Sequence, residues 1–223
     1  MAKKHQSVPV NEFDKTLAAG GSFVEKNKKA IMYGTCAVLA VIIAVVLAVQ
    51  YYIKPRNLEA AESMAVAEQL FRTGEYEKAL NGQGQNAGFL QIMDEYVCTP
   101  SANLARLYAG LSYAHLGKYQ EAVEYLEDYS DCGDDMISNA AVGALGNCYA
   151  ELGQTEKAAA TLVKAAEKAG NNTLSPVYYI QAGQLFESLK QNDKARECYE
   201  KVKKNYPASP QAQEIEKFIE HLN

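Results

Sequence analysis

Histidine, cysteine and the serine and threonine hydroxyls are the side chains with which this chain could hold a metal or attack a substrate, and their placement favours neither. The three histidines, His5, His115 and His221, lie far apart in the sequence, so none has a partner at the short helical spacing that aims two imidazoles at one ion. No hydroxyl or thiol stands in a pattern that pairs it with a general base. Gly82-Gln83-Gly84-Gln85-Asn86-Ala87 meets the letters of the dinucleotide fingerprint, but it follows a helical pattern instead of a strand and opens no βαβ unit. Asn171-Asn172-Thr173 is a formal glycosylation sequon in a loop, a three-residue pattern that chance supplies. Of the five cysteines, Cys36 sits in an apolar stretch and Cys148 reads as a buried core thiol. Cys198 lies in the polar remainder of the chain. Cys98 and Cys132 fall near loops and are able to pair in an oxidising compartment, although spacing alone does not set connectivity. The expectation is a chain that is no enzyme, with no cofactor, no metal and no small-molecule substrate.

Two kinds of element would position whatever function remains. The first is Ala30 to Tyr52, 23 residues without a charged side chain. At 1.5 Å rise per residue such a helix is about 35 Å long, against a bilayer hydrocarbon core of about 30 Å. The stretch reads as one transmembrane helix, residues 30–53, contacting membrane lipid, with Tyr33, Tyr51 and Tyr52 where aromatic rings favour the lipid–water boundary. A soluble core helix of this length would show a polar face. A cleaved signal peptide would have a shorter apolar core, with Val46-Leu47-Ala48 as its exit, and a lipoprotein would need its cysteine at the end of the run instead of near its start, where Cys36 is.

Charge orients that helix. Residues 1–29 hold six lysines against three acids, whereas residues 53–223 hold sixteen Lys/Arg against twenty-four acids, giving the net charge of −5. Cytoplasmic flanks carry the Lys/Arg excess, so residues 1–29 read as a cytoplasmic tail. Within it Met1 to Asn11 reads as disordered, and Phe13, Leu17, Phe23 and Val24 could form a loose amphipathic turn interrupted by Gly20-Gly21. The acidic balance beyond the helix disfavours nucleic acid as a partner. The run Glu121, Glu124, Glu127, Asp128, Asp131, Asp134, Asp135 reads as a solvated outer face.

The second kind of element is a repeat. Gly74-Glu75-Tyr76-Glu77-Lys78-Ala79, Gly117-Lys118-Tyr119-Gln120-Glu121-Ala122, Gly153-Gln154-Thr155-Glu156-Lys157-Ala158 and Lys190-Gln191-Asn192-Asp193-Lys194-Ala195 are versions of one phrase, with their alanines 43, 36 and 37 residues apart. The phrase resembles the turn of the tetratricopeptide repeat, a 34-residue unit of two antiparallel helices. With the alanines at repeat position 20, the small residue of position 8 becomes Ala67, Gly110, Gly146 and Gly183. The large residue of position 11 becomes Leu70, Tyr113, Tyr149 and Phe186, and position 24 gives Leu126, Leu162 and Tyr199 in the last three units. Small residues at 8 and 20 let the two helices approach, while 11 and 24 fill the seam, each buried side chain contributing about 1.5–3 kcal/mol. The first unit departs at Asn81 to Gly88, a glycine-rich insertion after which a helix resumes at Phe89.

The expected fold is therefore all-α: a tetratricopeptide-like helical-hairpin solenoid after one N-terminal transmembrane helix. Its repeats span 57–207, in units at about 60–102, 103–138, 139–175 and 176–207, and a C-terminal capping helix occupies 208–223. Ser175-Pro176 and Ser209-Pro210 read as N-caps followed by proline at the first helical position, and Ser101 as a cap for the helix through Leu116. In the repeat family, positions 2, 5, 9, 12 and 13 line the concave face. Here they are Met64, Glu68, Phe71, Leu104, Leu107, Leu111, His115, Asn147, Glu151, Ile180, Gln184 and Glu187, an apolar and polar mix suited to a peptide segment. Some of these would instead pack against the next unit. Only Asn147 corresponds to the Lys/Asn/Arg set with which certain tetratricopeptide domains clamp a C-terminal carboxylate, so that ligand is disfavoured.

The layout as a whole, with Phe23-Val24-Glu25-Lys26-Asn27-Lys28-Lys29-Ala30 directly before a single apolar helix and repeats after it, resembles the ancillary subunit family of the bacterial Sec translocon. The resemblance implies a single-pass protein of the bacterial inner (cytoplasmic) membrane, with its repeats in the periplasm. Its implied partners are the translocon, chaperones or envelope-assembly components, and its implied role is to assist protein export, chaperone recruitment or envelope assembly. A tether or regulator that holds a partner enzyme at the membrane is the alternative reading, and cytoplasmic repeats are the alternative topology.

Overall fold

The computed structural model describes residues 25–222, so the readings of a disordered Met1–Asn11 and of a turn over Phe13–Val24 lie outside the described residues. The chain separates into two compact units, divided between Ile53 and Lys54.

In the first unit, helix α1 (Lys28–Ala48) contains no buried residue. The Thr35 hydroxyl donates back to the Ile31 and Met32 carbonyls at 3.0 and 2.9 Å, so this polar group is satisfied within the helix. Among the described residues, the continuous helical stretch Lys28–Arg72, which α1 opens, is the one long and apolar enough to cross a membrane. A π-helical turn follows at Val49–Ile53. Pro55 explains its place: proline offers no N–H to the Tyr51 carbonyl four residues back, and its ring crowds that turn, which the wider π turn relieves. Pro55 thus ends no helix: it is accommodated by a widened turn with helix before and after it.

Among the described residues of the second unit, the regular structure is helical, apart from an isolated antiparallel bridge between Gln83 and Asn86. Its helices are α2 (Lys54–Arg72), α3 (Tyr76–Asn81), α4 (Phe89–Glu95), α5 (Pro100–His115), α6 (Tyr119–Asp128), α7 (Asp135–Glu151), α8 (Thr155–Ala169), α9 (Ser175–Ser188), α10 (Asn192–Asn205) and α11 (Ile215–His221), the last preceded by a 3-10 turn, Pro210–Gln213. They pair as successive antiparallel hairpins: α2 with α3 and α4, α5 with α6, α7 with α8, and α9 with α10. The terminal α11 covers the last hairpin, with Ile215 fully buried and Phe218, Ile219 and Leu222 half-buried against α9 and α10.

The packing follows the repeat chemistry. Ala79, Ala122, Ala158 and Ala195 are completely buried. A Cβ at Gly110 would stand 2.7 Å from Leu126 Cγ, one at Gly146 2.8 Å from Leu162 Cγ, and one at Gly183 2.3 Å from Tyr199 Cε1. The bare position 8 is therefore the space that the position-24 side chain fills. In the first hairpin α3 stops at Asn81 and the Gln83–Asn86 bridge closes a tight loop. Phe89 and Ile92 of α4, both fully buried, then supply the apolar seam that Gln83 cannot. The hairpin turns use the left-handed region at Gly74, Gly117 and Gly153 (φ 81°, 72° and 71°), where a side chain is disfavoured. In the fourth unit Lys190 occupies the same place at φ 58°.

Two of the three expected caps are different. Thr99, not Ser101, caps α5, accepting from the Ala102 N–H at 3.1 Å with Pro100 at the first position. Ser101 instead receives Asn57: its N–H donates to Asn57 Oδ1 at 2.8 Å. Ser175 lies inside α9, where its hydroxyl donates to the Ala166 carbonyl at 2.8 Å and accepts from the Asn171 N–H, and Asn171 Oδ1 caps the turn through Thr173 N–H and Leu174 N–H. Ser209 does cap, accepting from Ala212 N–H at 3.2 Å. The thiols of Cys98 and Cys132 are free and exposed, and those of Cys148 and Cys198 are free and buried.

Candidate protein-binding face

The residues singled out on the first helices of the hairpins divide into three groups. Met64 and Leu107 are 2% and 4% exposed and belong to the core, so they pack hairpin on hairpin and offer no surface. Leu104 is half-buried against the core clusters on either side of it, and Ile180 against the cluster of the last hairpins. The remaining eight reach the surface, and the structure gathers them at three places.

The first is aromatic. Phe71 of α2 meets Tyr76, Tyr108 and His115 edge-on, at ring-centroid distances of 5.4, 5.2 and 5.9 Å. Tyr76 stacks face to face on His115 at 4.4 Å with the planes 1° apart. Beside them Glu68 pairs with Arg72 at 3.2 Å, one turn apart on α2. Burial, and then the Glu68 charge, push the Tyr108 hydroxyl above its ordinary pKa, so it remains a neutral donor.

The second is a recess of about 290 Å³ between α5 and α7. Leu111 and His115 line it from α5, Asn147, Cys148 and Glu151 from α7, and Tyr119 from the start of α6. Burial, and after it the Glu151 charge, raise the Cys148 thiol to about 11, which leaves it an inert wall at neutral pH. His115 belongs to both the aromatic group and this recess, so the two are continuous.

The third is a recess of about 340 Å³ where Gln184 and Glu187 of α9 face Glu214, Lys217, Phe218 and His221. Glu187 also accepts the Tyr199 hydroxyl across the hairpin. Between hairpins, Tyr149 of α7 bonds Glu127 of α6, which the Lys157 ammonium approaches at 3.3 Å, and that ammonium lies 4.0 Å above the Tyr149 ring. The tyrosine bond is the main reason the Glu127 carboxyl stays below its usual pKa. These contacts lock hairpins and leave no reactive group, and among the described residues no cluster of three metal-ligating side chains occurs.

Tyr76 and Tyr119 were absent from the sequence-derived face because they belong to second helices. Their signal was in the repeated phrase: an aromatic residue follows Gly74-Glu75 and Gly117-Lys118, where the later units have Thr155 and Asn192. A tetratricopeptide repeat-like domain matches residues 22–220. The chain belongs to that family. No curated protein matches it. Domains of this tetratricopeptide-like family generally mediate protein–protein interaction and are typically non-catalytic, which accords with a face of aromatic, aliphatic and amide side chains.

Proposed function

We propose that this tetratricopeptide-like protein is a single-pass protein of the bacterial inner membrane, with residues 1–29 in the cytoplasm, that displays its repeats in the periplasm to bind protein partners of export. Those partners are the translocon, chaperones or envelope-assembly components. The observation that carries the reading is the combination in one chain of a helix with no buried residue, charge-free from Ala30 onward, and a domain of the repeat family. The lysine excess before the helix and the acidic balance after it support the orientation. The continuous surface from Phe71 through His115 to Glu151 has an apolar floor and a polar rim, the chemistry by which an extended or helical peptide segment is held.

Affinity purification of the full chain in mild detergent tests the partner class. The expected result is recovery of translocon, chaperone or envelope-assembly components with the wild type and their loss with Asn147→Arg, which places a long cation in the recess. Recovery of none of them with the wild type overturns the reading. Topology is tested by an impermeant thiol reagent on intact spheroplasts, since Cys98 and Cys132 are both exposed. Labelling before permeabilisation is expected, and labelling only afterwards would put the repeats in the cytoplasm.

A further inference from the structure

Among the described residues of the second unit, only two large apolar side chains are exposed, Leu58 at 64% and Val97 at 57%. They are 39 residues apart in sequence, yet the same contacts hold them at one end of the unit. Arg56 donates to the Glu95 carbonyl and carries its guanidinium 5.5 Å from the Tyr96 ring centre, while Asn57 accepts from Ser101 N–H at 2.8 Å. Leu58 follows this pair of anchors on α2, and Val97 lies between their two points of attachment. Tyr96 itself is buried, and Cys98 takes a left-handed backbone (φ 68°), so the Val97–Cys98 turn is presented outward.

Chain connectivity says what lies nearby. Arg56 is three residues beyond Ile53, so even a fully extended chain puts it within about 10 Å of the end of the first unit, and Leu58 within about 17 Å. The interfacial layer on each side of a hydrocarbon core is about 5–8 Å deep. If α1 and the π turn cross a bilayer, connectivity keeps Leu58 within reach of that layer, and the Arg56 and Asn57 contacts keep the Val97–Cys98 turn on the same end of the second unit. A solvent-facing edge would expose its only two large aliphatic side chains there without compensation, whereas an edge laid on lipid buries them.

We propose that Leu58 and the Val97–Cys98 turn form a lipid-contacting edge that dips into the interfacial layer of the membrane crossed by α1. The inference rests on the membrane reading above, and the test separates the two. The full chain, with a polarity-sensitive fluorophore on Cys36, Cys98 or Cys132 alone and the other two replaced by alanine, is reconstituted in phosphatidylethanolamine/phosphatidylglycerol vesicles. Cys148 and Cys198 stay in place, because both are buried and burial raises each thiol to about 11. Vesicles contain lipid with a nitroxide either near the headgroup or near the acyl-chain end.

The expected result is deep quenching at Cys36, shallow quenching with a blue shift at Cys98, and neither at Cys132. Val97→Asp and Leu58→Asp should each weaken the Cys98 signal while circular dichroism is unchanged, since both side chains are exposed. Deep quenching at Cys36 with Cys98 no more responsive than Cys132 overturns the lipid edge and leaves the membrane reading intact. Failure of Cys36 to respond overturns both.

Discussion

Lys190 shows how one residue can hold a fold below its optimum. Three of the four hairpin turns place glycine in the left-handed region, and the fourth places this lysine there at φ 58°. Lys190→Gly is expected to stabilise the protein by about 0.5–1 kcal/mol, the relief of Cβ crowding less the added freedom of the unfolded chain. Urea unfolding should show the midpoint rise. Gly183→Ala should do the reverse. Alanine is the better helix former by about 1 kcal/mol, but its Cβ would meet the Tyr199 ring at 2.3 Å, and overpacking of this kind costs about 1–3 kcal/mol net, read as a lower melting temperature. Asp131 gives a pH-dependent case. Lys168, Gly133 N–H and the Ser138 hydroxyl all favour its charged form and hold its pKa well below the ordinary value. A depressed carboxylate adds stability above its unfolded pKa and loses it as the pH falls through the folded one. Asp131→Asn should therefore lower the melting temperature at neutral pH, and the difference from wild type should shrink as the pH falls below about 4.

At the scale of elements, the repeat positions were legible because packing imposes them. A small residue at 8 and a large one at 24 are two sides of one contact, so Gly110 and Leu126, or Gly183 and Tyr199, could be paired from spacing alone. The caps were less legible because Ser175 before Pro176 meets the same local rule whether it caps or bridges, and Ser101 stands two residues after Thr99, which caps before Pro100. Only the fold brings Asn57 to Ser101, 44 residues away, and the Ala166 carbonyl to Ser175. Of the candidate face, position numbers found Leu111, His115, Asn147 and Glu151, which share a recess, but they also named Met64 and Leu107, which the next hairpin covers. The terminal helix belongs to the same logic. Ile215 is 1% exposed between α11 and the last hairpin, so Ile215→Ala should cost about 2–4 kcal/mol. In a solenoid each hairpin leans on its neighbours, and hydrogen exchange should rise first in α9 and α10, with α5 and α6 affected least.

For the molecule as a whole, the account joins a helix that buries nothing to a stack of hairpins in which several titratable groups are committed to packing. Tyr149 bonds a carboxylate of the preceding hairpin and Tyr199 one of its own, and burial keeps Cys148 and Cys198 protonated. The surface they leave is one for holding another chain. The most direct test is in-cell photocrosslinking from a photoreactive residue placed at His115 or Asn147, with Glu124, exposed on α6, as the comparison. The account predicts polypeptide adducts at His115 and Asn147 and none at Glu124. Adducts at Glu124 alone, or at none of the three, would contradict it.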